Sequence, residues 1–116
     1  DGEVLKLGQG KYHVELVRDE ATHTVTIYVL DATATNMVPI TADAIQLNLL
    51  LAGDRPRQFV LPPVDQSTDP AGSRSCFRLC DERLCAGLEA KHVQGRIVLA
   101  VDERPYSAEL RRNARR

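Results

Sequence analysis

Two runs, Tyr12-His13-Val14-Glu15-Leu16-Val17-Arg18 and Thr24-Val25-Thr26-Ile27-Tyr28-Val29-Leu30, decide the fold. In the first, Tyr12, Val14 and Leu16 fall on one side of an extended chain, and His13 and Glu15 on the other. Side chains of a strand alternate between faces, so this spacing buries one face and wets the other. The second run is rich in β-branched residues (Val25, Thr26, Ile27, Val29), which pack well on a pleated surface. The residues from Asp19 to Thr24 join the two runs, and the pair reads as a hairpin. His23 falls where such loops demand a left-handed residue, a role that glycine or asparagine fills more easily.

The same period recurs outward from this hairpin. Glu3 to Leu7 is an opening strand, stopped by Gly8-Gln9-Gly10. Asp31 to Pro39 is a loop. Ala44 to Leu51 then sets Ile45, Leu47, Leu49 and Leu51 against Gln46 and Asn48. Gly53-Asp54-Arg55-Pro56 turns the chain into Arg57 to Leu61, with Phe59 and Leu61 inward. Pro62 to Ser73, rich in proline and short polar residues, is the longest loop and leads into a strand from Ser75 to Leu79. Asp81 to His92 is the one helical segment: Leu84, Cys85 and Leu88 recur at helical spacing, Asp81 and Glu82 suit the positive end of the dipole, and Gln94-Gly95 is the expected stop. Arg96 to Val101 and Pro105 to Leu110 form a last hairpin. Its turn, Asp102-Glu103-Arg104, lacks glycine and leaves the turn type open.

Seven or eight short strands without a strand-helix-strand rhythm predict an all-β, antiparallel two-sheet sandwich of immunoglobulin-like type, with one short helix near 81–92. A closed barrel is the alternative. The expected organisation is a single domain over 1–116, with 1–2 and 111–116 frayed.

The 116 residues are 43% hydrophobic and 27% charged, the composition of an ordinary globular domain. Fifteen basic against sixteen acidic residues give a net charge of −1, so nucleic acid has no global attraction to the chain. Aromatic residues are too few for a stacking platform. Arg111, Arg112, Arg115 and Arg116 could meet phosphate or lipid headgroups, although a solvated terminus explains them more simply. No apolar run is long enough for a membrane span. The chain begins with Asp1 rather than Met, as expected if an export signal, a lipid anchor or another domain precedes it.

Cys76, Cys80 and Cys85, with His92 further on, form the most distinctive cluster. Thiolates and imidazole suit zinc or copper, and these four residues are the candidate metal ligands. The paired C-x-x-C spacing is missing, however, and two cysteines four apart on one strand lie roughly 13 Å from each other. The simpler readings are a Cys80–Cys85 disulfide with one unpaired cysteine, or three free thiols acting as small apolar residues. His13, His23 and His92 have no reason to converge, and His13 with Glu15 is the one histidine pair that shares a strand face. The serines lack a nucleophile elbow, and no glycine-rich loop links a strand to a helix. An enzyme is not expected.

Leu7-Gly8-Gln9-Gly10-Lys11-Tyr12-His13-Val14-Glu15-Leu16-Val17 resembles a segment of uncharacterised exported bacterial β-sandwich proteins, a group that includes lipoproteins. The resemblance continues through Thr24 to Asp31, through Val38-Pro39-Ile40, and from Val101-Asp102 to Pro105-Tyr106, about half of the chain. The strand-hairpin opening is also similar to that of periplasmic adaptor proteins of heavy-metal efflux pumps. These resemblances imply a location in the periplasm or cell envelope, a protein or envelope component as partner, and no established reaction. The expected function is therefore a non-enzymatic binding or accessory module without a cofactor. The second reading is a copper- or zinc-handling domain that uses the cysteine cluster.

Overall fold

The computed structural model describes residues 2–51, 55–90 and 92–113, and nearly every alternating run becomes a strand. The elements are β1 (Glu3–Leu7), β2 (Tyr12–Asp19), β3 (Thr24–Leu30), β4 (Ile45–Leu51), β5 (Arg55–Leu61), β6 (Cys76–Cys80), α1 (Glu82–Glu89), β7 (His92–Val101) and β8 (Arg104–Asn113). They build two four-stranded antiparallel sheets, in the orders β1-β2-β3-β6 and β5-β4-β7-β8. The expected sandwich is what forms.

Register follows from burial. The Val14↔Val29 and Leu16↔Ile27 pairs of the first sheet face Leu47, Ile97 and Leu49 of the second across one core. A slip of one residue would turn each of these side chains into water, so the pattern sets the pairing. Phe77, fully buried on the edge strand β6, packs on the first sheet's inner face beside Ile27.

Two boundaries differ from the sequence reading. The helix ends at Glu89, and β7 starts at His92, so Gln94-Gly95 lies inside a strand instead of stopping the helix. Gly95 is there for clearance: a Cβ on it would sit 2.5 Å from the Asn48 carbonyl oxygen of β4. The second difference is β5, which starts at Arg55 and contains Pro56. Proline is tolerated because β5 is a sheet edge, where its missing N–H would face solvent. Gly53 and Asp54, the first half of the expected turn, lie outside the described residues.

The chain end also differs. Arg111, Arg112 and Asn113 pair with Gln94, Val93 and His92, extending β8 beyond the expected point of fraying. Asp1 and residues 114–116 lie outside the described residues.

Each sheet edge is handled separately. Residues 62–64 run along β6, with Val64 N–H donating to the Cys76 carbonyl (2.8 Å) and Arg78 N–H to that of Pro62 (3.0 Å). Strands β1 and β8 meet where Gly8 N–H donates to the Ser107 carbonyl at 3.0 Å, beside an edge-to-face pair of Tyr12 and Tyr106. The loop after β3 is gathered on Asp31, whose carboxylate accepts from Thr33 Oγ1 (2.7 Å) and Asn36 Nδ2 (3.0 Å) and from the backbone amides of Thr33 and Thr35. The Thr33 hydroxyl first, then the Asn36 amide, hold that carboxyl well below the usual range.

The β7–β8 turn carries a local cost. Asp102 (φ 52°) and Glu103 (φ 66°) both adopt the left-handed conformation of a type I′ hairpin turn, as does His23 (φ 54°) in the β2–β3 loop. A non-glycine residue pays roughly 1–2 kcal/mol there. Glu103→Gly is therefore expected to raise stability by about 1 kcal/mol in urea unfolding. An unchanged or lower midpoint would show that the turn is not strained.

Candidate functional site

The four metal-ligand candidates do not come together. Cys76 and Cys80 lie on the outer face of β6, alternating with inward Phe77 and Leu79. Cys85 is on α1 and packs inward beside Leu84 and Leu88. His92 opens β7 in the other sheet. Among the described residues, no group of three or more His, Cys, Asp or Glu side chains could hold an ion.

All three cysteines are free thiols, so the expected Cys80–Cys85 disulfide is not formed. One of the pair points away from the first sheet and the other into the core beneath it. Burial pushes the Cys76 thiol up, with Arg78 opposing and Asp69 adding to the rise. Burial also raises Cys85, helped by Glu89. Raised thiols hold little of the thiolate that a soft metal needs. Cys80 is exposed, its Sγ 3.2 Å from the Thr22 carbonyl oxygen.

The histidines are equally separate. His13 Nδ1 lies 3.1 Å from the Asp31 carbonyl oxygen, which ties β2 to the loop after β3. His23 Nε2 is 3.9 Å from Glu82 at the start of α1.

Two openings lie among the described residues. The first is a cleft of about 250 Å³ at the seam between β1 and β8, lined by Gly2, Glu3, Leu16, Arg18, Leu88 and Arg112. Both of its arginines have partners at their terminal nitrogens, and Arg18 Nε, without a hydrogen bond, lies 3.9 Å from Glu89. Helix α1 starts well, with Asp81 Oδ1 accepting from Leu84 N–H at 3.0 Å, but it ends without a glycine cap or a basic residue of its own. Arg18 Nη1 (3.1 Å) and Arg112 Nη2 (2.5 Å) both donate to the Leu88 carbonyl and supply that cap from two strands. Arg18 also pairs with Glu20 at 3.1 Å. This cleft is a structural joint.

The second opening is a groove of about 250 Å³ on the outer face of the second sheet. The β4–β7 ladder ends at Leu49↔Gly95, although β4 continues to Leu51 and β7 begins at His92. The two central strands fork there. Helix α1 closes the fork from the core side, where a Cβ on Gly87 would come within 2.9 Å of Leu51. On the outer side the walls are Asn48, Leu50 and Pro56 against Gln94, Arg96 and Arg111. Arg96 pairs with Glu109 across the hairpin at 3.3 Å, whereas Arg111 has no carboxylate partner among the described residues. Two amides, guanidinium groups and an exposed Leu50 thus border one concave surface.

No protein-family model, curated protein or solved structure matches the chain.

None of the groove residues stands out in the sequence, where they read as the wet face of ordinary strands. The usable signal is Gly95: a glycine inside an alternating run marks a close backbone approach.

Proposed function

We propose that this chain is a non-enzymatic binding or accessory module of the cell envelope, immunoglobulin-like in build, with its ligand surface in the forked groove. The strand order supports the immunoglobulin-like build. The sequence β5-β4-β7-β8 corresponds to C′-C-F-G of an immunoglobulin variable-type sheet, and β2-β3-β6 to A-B-E, with β1 added at the edge. The envelope location rests on the resemblance of Leu7 to Val17 and of Thr24 to Asp31 to exported proteins.

The observation that carries the binding reading is the fork itself. A concave, part-apolar opening with a few convergent polar groups is the usual form of a ligand site. Guanidinium and amide donors select an acceptor such as a carboxylate, while Leu50 and Pro56 select an apolar neighbour.

Titration of the ¹⁵N-labelled protein with hexanoate and with hexanol tests this. Hexanoate is expected to shift the amides of Asn48, Gln94, Arg96 and Arg111 together, and hexanol to shift them less. Shifts scattered over the surface, or equal for the two probes, would remove the groove as the site.

A further inference from the structure

Strand β8 is an edge of the second sheet, and half of its backbone faces away from β7. The two-residue turn makes Val101↔Arg104 the first hydrogen-bonded pair, so every second residue from Pro105 onward turns its amide outward. Pro105, with no N–H, occupies one such position, and Ser107 uses its outward carbonyl to accept from Gly8. Glu109 and Arg111 have the same direction. Among the described residues neither has a backbone partner on that side.

We propose that this edge pairs antiparallel with β8 of a second copy of the chain, around a twofold axis at Leu110. This inference does not rest on the groove. Its basis is charge complementarity of the strand with itself. An axis at Arg111 would set two arginines directly opposite each other, and an axis at Glu109 two carboxylates, both destabilising. An axis at Leu110 puts Glu109 of each copy opposite Arg111 of the other, twice. Both residues are at outward positions, so these are the pairs that exchange hydrogen bonds. Glu109 and Arg111 already lie across from Arg96 and Gln94 of β7. The joined sheet therefore carries a row Arg96, Glu109, Arg111, Gln94 in which opposite charges are neighbours. The contact is isologous and closes on itself, so it stops at two copies.

Ser107 is already bonded to Gly8, which confines the new ladder to the stretch around Ala108 to Arg112. A short ladder buries little area, so the dimer is weak and depends on concentration.

Sedimentation velocity between about 10 μM and about 1 mM reads this directly, since that range covers the dissociation constants of a weak association. The expected result is reversible dimerisation. Glu109→Arg alone or Arg111→Glu alone weakens it by about tenfold or more, because two favourable pairs become two repulsive ones. The double variant, Glu109→Arg with Arg111→Glu, recovers the pairs between copies and restores dimerisation in part, because its new arginine also faces Arg96 across the hairpin. Arg111→Pro removes both the outward N–H and the guanidinium that pairs with Glu109 of the other copy, leaves the β7–β8 ladder intact and abolishes the dimer. A monomer throughout the range overturns the proposal. So does a dimer that survives the single charge reversals, or one that the double reversal fails to restore. All the changed side chains are exposed, and a circular dichroism spectrum matching the parent shows that each variant is folded.

Discussion

Gly95→Ala is expected to cost about 3 kcal/mol of stability, the upper part of the range for forcing extra volume into a packed site. The added methyl would sit 2.5 Å from the Asn48 carbonyl oxygen and 2.6 Å from Leu49 Cδ2. Leu49 could rotate away. The carbonyl could not, because it belongs to the central strand β4, which is held between β5 and β7. Relief therefore requires β7 to move outward, breaking the last rungs of the ladder at Asn48↔Arg96 and Leu49↔Gly95. Gly72→Ala is the matched control. It has a φ of +83° but nothing within 4 Å of the added carbon, so it meets only the left-handed backbone penalty, about 1 kcal/mol. Urea unfolding of the two variants separates crowding from conformation. If Gly95→Ala were no worse than Gly72→Ala, the close approach that opens the fork would be wrong.

The difference between these glycines also explains what could be read before the structure was known. Strand identity and facing come from the local alternation of one run, and β1 and β3 match their expected limits. Gly95 could not be interpreted that way. Next to Gln94 it looks like a helix stop, and only the position of Asn48, far away in sequence, makes it a clearance residue. The seam shows the same limit. Arg18 and Arg112 read as a strand end and a basic tail, yet their long side chains converge from β2 and β8 on the Leu88 carbonyl in the last turn of α1. The cysteine cluster failed for the opposite reason. Proximity in sequence suggested a site, but a strand followed by a helix sends Cys80 outward and Cys85 inward. Pairing partners are set by topology, and topology is not written in any single segment.

Loss of the Asp69 carboxylate is expected to release the long loop after β5 at a cost of about 2–3 kcal/mol, the price of stranding buried polar groups. Ser75 is fully buried, and both of its donors end on Asp69: the amide on Oδ2 at 2.9 Å, and the hydroxyl within 3.0–3.1 Å of the two oxygens. The remaining neighbours of the hydroxyl, Gln66 Oε1 and Met37 Sδ, lie at 3.5 Å and are poor replacements. Asp69→Ala thus leaves an amide and a hydroxyl unsatisfied, whereas Asp69→Asn keeps one oxygen and should lose less. The loop is joined to the edge of β6 through Val64 and Pro62, and the Cys76 thiol is buried there, close enough to Asp69 to feel its charge. In the parent protein a water-soluble disulfide reagent should titrate Cys80 at once and reach Cys76 and Cys85 only on unfolding. In Asp69→Ala, Cys76 should begin to react under native conditions while Cys85, on the buried face of α1, stays silent. The pH dependence should move the same way. Burial and the Asp69 charge both raise this thiol, so removing them lowers the pH at which the Cys76 thiolate accumulates and at which its labelling begins. Equal protection of Cys76 in both proteins would mean that the loop is held by something other than Asp69.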